Sequence, residues 1–211
     1  MIKTDLFQSH FIPSEKPTDK LMIVLHGKGD SLKPFKDFHN EMQFKDVNYL
    51  LLNAPKKFDD GYSWYGEPPY QRDGVRRIRE KMFQLLSDLE NQGWKPENIF
   101  LFGFSQGCLV STDLALHYPR RFGGVVGVSG YFQFFPRWKK QIHPRANQTP
   151  WLLTHGTKDD VLPLEDTKYG VEKLRKIGLQ IDWVEFNKEH TLEDEEYPII
   201  RQWVREKLKE L

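Results

Sequence analysis

The chain has 211 residues, with 31 Lys and Arg against 30 Asp and Glu, which leaves a formal charge of +1. A near-neutral chain has no overall basic field to hold phosphates, so nucleic acid is excluded as a leading partner. One cysteine excludes an internal disulfide, and residues 1–16 lack the apolar run of a secretory signal, so a cytoplasmic location is expected. The apolar runs fall far short of the ~20 residues that cross a bilayer, which argues against integral membrane association. The length fits one domain over residues 1–211.

Short apolar runs alternate with helical patterns along the chain. The runs are LMIVLH, VNYLLLN, IFLFGF, GVVGVS, WLLTH and QIDWVEF. Helical spacing is found at residues 33–43, 73–91, 106–117, 164–177 and 195–211, the last with Ile200, Trp203, Val204, Leu208 and Leu211 on one face. Such runs are typical of strands buried on both faces of a parallel sheet. The pattern predicts an α/β fold with a mostly parallel central sheet and helices on both faces.

The run IFLFGF leads through GFSQG, residues 103–107, directly into a helical pattern. A tight strand-to-helix turn strains the central residue, and glycines two positions on either side remove side chains that would collide. This context predicts Ser105 as a nucleophile exposed above the sheet. The alternative is that Ser105 serves only as a helix N-cap.

A serine hydroxyl needs a base to take its proton, and in this layout an acid and then a histidine follow the serine. Beyond the Ser105 helix, the candidate bases are His143, His155 and His190. His190 follows the strand-like QIDWVEF at the sheet edge where α/β active sites assemble, so it is the predicted base. His143 lies in a polar loop, and His155 precedes the predicted acid.

The acid is expected in the loop HGTKDDVLP, which supplies Asp159 and Asp160. Periodicity does not choose between them. Asp160 has an alternative role as a turn or N-cap residue before the helix that opens near Pro163, which favours Asp159 as the acid.

Attack on a carbonyl builds negative charge on oxygen, and backbone N–H groups are the usual donors to it. One donor is expected from Gln106 and the other from Lys28, in the Gly-rich loop after the first apolar run. An ordinary Gly-rich turn is the alternative for that loop. The aromatic residues Trp64, Tyr65 and Tyr131 are candidate walls of an acyl pocket, with core packing as the alternative for each, and Leu162 is a further candidate. Residues 131–135 are a candidate wall or lid.

Four motifs in order resemble the phospholipase/carboxylesterase family of α/β-hydrolases, which includes the acyl-protein thioesterases. LHGKGD resembles its LHG-x-GD oxyanion loop, GFSQG its nucleophile elbow, HGTKDDVLP its acid loop, and His190 its base. The likeness covers nearly the whole chain. It implies the α/β-hydrolase fold and these roles, position by position: Ser105 nucleophile, Asp159 acid, His190 base, Lys28 and Gln106 oxyanion donors, and Trp64 a residue of the substrate loop.

Three positions depart from the family pattern. Lys28 stands where an apolar residue is common, Thr157 where aspartate is common, and Glu189 where glycine usually precedes the base. The first departure bears on acyl-chain preference.

These residues predict a serine carboxylesterase that hydrolyses small-molecule esters or thioesters through an acyl-enzyme, with no metal or cofactor, as a monomer or homodimer. The alternatives are a lysophospholipase or acyl-protein thioesterase with longer acyl chains, and a non-catalytic binding protein on the same fold. A peptidase or a dienelactone-type hydrolase is a further alternative; the latter normally presents cysteine at the position of Ser105. Cys108 is expected to pack in the core.

Overall fold

The computed structural model describes residues 2, 4–134 and 136–211. In it, the six apolar runs of the sequence form neighbouring parallel strands. Across these residues the strands are β1 Ser9–Ile12, β2 Leu21–Leu25, β3 Asn48–Leu52, β4 Lys56–Phe58, β5 Gly61–Ser63, β6 Ile99–Phe104, β7 Gly124–Val128, β8 Trp151–Gly156 and β9 Ile181–Phe186. One sheet has the order β1-β3-β2-β6-β7-β8-β9, and its pairs are parallel except β1 with β3. The predicted mostly parallel sheet is confirmed.

Helices follow the strands as the helical spacing predicts. In the described part of the chain they are α1 Phe38–Met42, α2 Gln71–Asn91, α3 Gln106–His117, α4 Trp138–Gln141, α5 Leu164–Arg175 and α6 Glu196–Leu208. Single 3₁₀ turns occur at Pro34–Asp37, Pro96–Asn98 and Pro144–Gln148, and the first of these forms the opening of the segment predicted as one helix at residues 33–43. None of the described helices combines the length and the apolar character that crossing a bilayer demands.

The sheet separates two hydrophobic cores, because successive side chains of a strand point to opposite faces. Along β2, Leu21, Ile23 and Leu25 belong to one core, together with buried side chains of α2, α3 and α5. Met22 and Val24 belong to the other, which buries α1 and α6. Helices therefore cover both faces, as predicted.

The predicted final helix extends too far. Residues Ile200, Trp203, Val204 and Leu208 of α6 are buried, but the helix ends at Leu208 and Leu211 is exposed. Leu211 fits the helical spacing in the sequence. The helix ends before it, however, so its side chain does not reach the core.

Two elements have no counterpart among the predicted strands. Strand β1 is an edge strand with a half-exposed SHFI sequence, and the β4–β5 hairpin lies between the apolar run VNYLLLN and the helical pattern of residues 73–91. Neither contains a continuous apolar run, because each is solvated on at least one side. The hairpin is joined to the loop after β2 by the Gly29 N–H, 2.8 Å from the Tyr62 carbonyl, and by the Tyr62 N–H, 2.9 Å from the Asp30 carbonyl.

Candidate active site

Ser105 occupies the sharp turn between β6 and α3. Its backbone has φ of 52° and ψ of −115°, a left-handed conformation that L-residues other than glycine rarely adopt. The neighbouring glycines are required by close approach: a Cβ on Gly103 would lie 2.3 Å from the Gly107 carbonyl oxygen, and one on Gly107 would lie 2.2 Å from that of Leu25. The turn therefore packs against β2 backbone to backbone and leaves the serine side chain above the sheet edge.

His190 and Asp159 extend from Ser105 in one hydrogen-bonded series. The Ser105 Oγ lies 2.8 Å from His190 Nε2, and His190 Nδ1 lies 2.8 Å from Asp159 Oδ2. The Asp159 carboxylate is fully buried, whereas Asp160 is exposed. With the Nδ1 proton donated to Asp159, His190 presents Nε2 as an acceptor for the serine proton.

The loop after β8 aims the Asp159 carboxylate. Its Oδ1 accepts hydrogen bonds from the N–H groups of Val161 at 3.1 Å and Leu162 at 2.8 Å, which leaves Oδ2 for the histidine. Leu162, predicted as a substrate contact, is half-buried and takes part in this turn through its backbone.

His155 lies behind Asp159 rather than beside Ser105. Its Nε2 donates to the Leu162 carbonyl at 2.8 Å and lies 3.4 Å from Asp159 Oδ2. Burial lowers the pKa of His155. The ring is therefore a neutral support of the carboxylate loop.

The loop after β2 passes directly beside Ser105. A Cβ built on Gly27 would lie 3.4 Å from Ser105 Cβ. His26 braces this loop: its Nδ1 donates to the Gly27 carbonyl at 2.6 Å and its Nε2 accepts from the Ala54 N–H at 3.0 Å. Among the residues that the structure describes, the N–H groups of Lys28 and Gln106 donate to no protein acceptor. Both N–H groups were predicted as oxyanion donors.

The Gln106 side chain holds the segment that follows the hairpin. Its Oε1 accepts from the Trp64 N–H at 2.8 Å and the Ser63 hydroxyl at 3.2 Å, while its Nε2 donates to the Tyr65 carbonyl at 3.1 Å. The residue after the nucleophile therefore connects the strained turn to the neighbouring loop by three buried hydrogen bonds.

The candidate wall residues are placed differently from one another. Trp64 and Tyr65 are each only 1% exposed and belong to the core, which is the alternative that the sequence left open. The indole Nε1 of Trp64 donates to the His26 carbonyl at 2.8 Å, so this side chain supports the loop beside the nucleophile. Tyr131 is half-buried, and its hydroxyl lies 2.7 Å from that of Tyr65. Of the predicted wall or lid at residues 131–135, Phe135 lies outside the described residues.

Cys108 packs in the core one helical turn after the nucleophile, as expected. Burial raises the pKa of its thiol to about 12, so it is not a thiolate at neutral pH.

A cleft of about 550 Å³ opens beside His190, lined by the segment at residues 30–41, by Phe104 and by the chain from His190 to the start of α6. Aromatic side chains and four carboxylates line it: Phe35, Phe38, Phe104, Tyr197, Asp30, Asp37, Glu41 and Asp194. Burial, together with Glu41 and Asp194, raises the pKa of Tyr197 to about 12. The cleft is therefore negative where it meets the histidine.

The chain matches the family model described as Phospholipase/Carboxylesterase over residues 8–208. It belongs to the phospholipase/carboxylesterase family. The predicted resemblance is confirmed, and with it a serine hydrolase of the carboxylesterase and thioesterase type at the level of the family.

Named relatives of this family cover most of the chain. A probable carboxylesterase of Oryza sativa subsp. japonica is 33% identical over 208 residues, 90% of this chain and 88% of that protein. Acyl-protein thioesterase 1 of Emericella nidulans is 30% identical over 194 residues, 80% of this chain and 81% of that protein. A further rice relative, 24% identical over 210 residues, 90% of this chain and 86% of that protein, is named a probable inactive carboxylesterase.

The crystal structure of Arabidopsis thaliana SOBER1 superposes with a TM-score of 0.83 at 23% identity, over 91% of this chain and all (100%) of that chain. At this identity the likeness shows the fold alone.

The departures from the family pattern lie at the rim of the site. The Lys28 ammonium forms an ion pair with Glu67 at 2.5 Å and lies 4.6 Å from the centre of the Phe58 ring. The side chain therefore runs from the loop after β2 to the segment beyond the hairpin. Thr157 and Glu189 are both exposed, in the loops that carry Asp159 and His190 respectively.

Sequence reasoning missed the side-chain role of Gln106 and a buried ion pair between Lys188 and Glu196. A polar residue at the start of a helix normally faces solvent. The only sequence signal for a structural role of the Gln106 side chain is its position next to Ser105. Lys188 lies in the polar stretch NKEHTLEDEE, which is typical of an exposed loop.

Replacing Gln106 with alanine removes three hydrogen bonds and leaves the buried Trp64 N–H without an acceptor, whereas the Ser63 hydroxyl and the Tyr65 carbonyl keep their hydrogen bond to each other. We expect the free energy of unfolding to fall by about 1–3 kcal/mol. Urea denaturation followed by tryptophan fluorescence measures the change. Gln180→Ala, at an exposed position, is the matched control; equal losses in the two variants would contradict the connecting role of Gln106.

Proposed function

We propose that this chain is a serine carboxylesterase that hydrolyses carboxylic esters or thioesters through an acyl-enzyme formed on Ser105. The observation that carries the proposal is the continuous series from Ser105 Oγ through His190 to Asp159, with both contacts at 2.8 Å. A hydroxyl, an imidazole and a buried carboxylate in this order make up the constellation that activates a serine.

In the proposed acylation step, His190 Nε2 takes the Ser105 proton as Oγ attacks the acyl carbonyl. The Asp159 carboxylate keeps the Nδ1 tautomer and stabilises the imidazolium that forms. The imidazolium then gives its proton to the departing alkoxide or thiolate, and the acyl group remains on the serine. Water activated by the same histidine releases the acid in the second half of the reaction.

The proposed oxyanion site consists of the N–H groups of Lys28 and Gln106. Both donate to no protein acceptor in the described part of the chain, and the Gly27–Ser105 approach brings their two loops together. A preformed donor of this kind is typically worth a factor of about 10²–10³ in kcat. His26 and the Gln106 side chain hold the two loops before substrate arrives, so little reorganisation is required.

The rim of the site favours small acyl groups in this proposal. The Lys28–Glu67 ion pair and the neighbouring Phe58 ring span the gap between the loop after β2 and the segment that follows the hairpin. In this proposal they limit the space for an acyl chain there. Trp64 and Tyr65, which were candidate pocket walls, are occupied by core packing. On the other side of His190, the carboxylates of the cleft repel negative charge, so we expect substrates whose alcohol or thiol portion carries a negatively charged group to be disfavoured.

Two alternatives remain. A lysophospholipase or acyl-protein thioesterase activity needs room for a longer chain, and the relative named acyl-protein thioesterase 1 supports it. A non-catalytic binding role is supported by the relative named inactive, although the complete Ser–His–Asp series favours catalysis. The cytoplasmic location and the monomer or homodimer stay predictions.

The direct test uses p-nitrophenyl esters from acetyl to dodecanoyl, with matched acyl thioesters. We expect turnover by the intact protein and a loss of at least about 10³-fold in Ser105→Ala, because the nucleophile is removed. Circular dichroism and thermal unfolding check that the variant is folded. Retained turnover in folded Ser105→Ala contradicts the nucleophile, and no turnover or fluorophosphonate labelling of the wild type favours the non-catalytic role.

Asp159→Asn and Asp160→Asn form a matched pair of neighbouring substitutions. The first presents an amide to His190 and favours the wrong tautomer, so kcat should fall by a factor on the order of 10⁴. Asp160 is exposed and lacks the histidine contact, so its variant should retain kcat within about threefold. Steady-state kinetics on one ester decide the matter; the reverse ranking would reassign the acid.

Lys28→Met tests the proposed limit on acyl length. Without the ion pair to Glu67, an apolar side chain adds contact for a longer acyl group. We expect kcat/KM for octanoyl relative to acetyl ester to rise roughly tenfold, the effect of burying about two methylenes. Lys57→Met is the control, because Lys57 lies on the neighbouring β4–β5 hairpin and, like Lys28, has its ammonium over an aromatic ring, 4.2 Å from the centre of Tyr62. An unchanged ratio in Lys28→Met, or the same rise in the control, would exclude Lys28 as the determinant.

A further inference from the structure

A buried lysine lies two positions before the proposed base. The Lys188 side chain is 3% exposed and its partner Glu196, at the start of α6, is 0% exposed. A charge withdrawn from water is costly, and burial lowers the pKa of Lys188 against the opposing effect of Glu196. An apolar pair of similar volume is often at least as stabilising, so burial alone does not explain this pair.

The ammonium binds both the histidine loop and its surroundings. Lys188 Nζ donates to the Thr191 carbonyl at 2.5 Å, to Glu196 Oε2 at 2.6 Å and to the Ser129 hydroxyl at 3.0 Å. Residues 188 and 191 enclose His190 in the sequence, so the first of these bonds closes a short ring of chain around it. The loop is thereby restrained on both sides of the imidazole.

The other end of the ion pair is equally fixed. Glu196 Oε1 accepts from the Thr154 hydroxyl at 2.6 Å, and Oε2 also accepts from the Glu193 N–H at 3.0 Å. Thr154 belongs to β8, and Ser129 follows β7 with its N–H 2.9 Å from the Thr154 carbonyl. The ammonium is therefore linked to the ends of β7 and β8, directly through the Ser129 hydroxyl and through Glu196 to Thr154.

The backbone of Lys188 meets the loop that carries Asp159. The Lys188 carbonyl accepts from the Lys158 N–H at 3.0 Å, and a Cβ on Gly156 would lie only 2.3 Å from the same oxygen. The side chain thus restrains the residues around His190, and the backbone sets their distance from the acid loop.

We propose that Lys188, paired with Glu196, is a positioning residue that holds the His190 loop so that the imidazole spans Ser105 and Asp159. The proposal rests on the proposed function and adds a residue to it. Lys188 touches neither substrate nor the reacting atoms; it acts through the Thr191 carbonyl and the loop backbone. The pair acts through geometry, so its removal should affect the chemical step more than substrate binding.

The test compares Lys188→Met, Lys188→Arg and the double variant Lys188→Met/Glu196→Gln with the wild type. Lys168→Met is the control, because Lys168 forms an ion pair with Glu185 at the surface. The double variant leaves no buried charge unpaired, and Lys188→Arg keeps the charge with a different donor geometry. These two variants keep the test open if Lys188→Met alone does not fold. The measurements are kcat and KM on p-nitrophenyl acetate, the rate of inactivation by a fluorophosphonate, and the unfolding temperature.

We expect kcat and the inactivation rate of the double variant to fall by a factor on the order of 10², the effect of about 1 Å of misplacement, with KM within about threefold. Its unfolding temperature should lie close to that of the wild type, and Lys188→Arg should show a smaller fall of the same kind. Lys168→Met should retain wild-type values. Full kcat in the folded double variant would overturn the proposal and leave the pair a purely structural role.

A spectroscopic reading separates this outcome from failure of the proposed function. The proton on His190 Nδ1, hydrogen-bonded to Asp159, should give a downfield NMR resonance that is absent in His190→Gln. We expect that resonance to disappear or broaden in the double variant and to persist in Lys168→Met. Absence of turnover in the wild type would reject the proposed function. An unchanged resonance in the double variant would reject the positioning role of Lys188, whether or not the wild type shows turnover.

Discussion

The backbone turn at Ser105 is the constraint on which the rest of the site depends. A non-glycine residue at φ of 52° is strained, and such strain persists only where the surrounding packing enforces it. Gly103 and Gly107 allow that packing, because each lies so close to neighbouring backbone that a Cβ would collide. The turn brings α3 against the carboxyl end of β2, and this contact places the loop after β2 beside the serine.

The same turn couples the parts of the site that come from distant sequence. Gln106 follows Ser105, so its N–H belongs to the proposed oxyanion site while its side chain binds residues 63–65. Trp64 in that segment donates to the His26 carbonyl, and the hairpin pairs with residues 29 and 30. A closed set of contacts therefore joins the Ser105 turn, the loop after β2 and the hairpin. A displacement of any one of these would be felt by the other two.

Much of this arrangement could be predicted because it depends on patterns that are local in sequence. Strands buried on both faces are continuous apolar runs, and parallel pairing brings the ends of β2, β6, β8 and β9 to one edge. The two glycines of GFSQG indicate the tight strand-to-helix turn directly from the sequence. The structure also separates Asp159 from Asp160, which periodicity does not, because only the first is turned inward by the N–H groups of Val161 and Leu162.

What could not be predicted depends on tertiary contacts between polar residues. The edge strand β1 and the hairpin have no apolar run, since solvent covers part of each. Trp64 looks the same in sequence whether it lines a pocket or packs on Phe7 and His26, and the structure places it in the core. Lys188 and Glu196 lie in a stretch so rich in charge that solvent exposure is the natural expectation.

The distribution of charge around the site indicates how one family scaffold can serve different substrates. The interior elements, from the strained turn to the buried Asp159, depend on backbone geometry and tolerate little change. The charges at the rim, Lys28 with Glu67 on one side and the carboxylates of the cleft on the other, contribute little to stability because they are largely exposed. Substitution of these rim charges should therefore cost the fold little, which makes them the places where the proposed substrate preference can change without loss of stability.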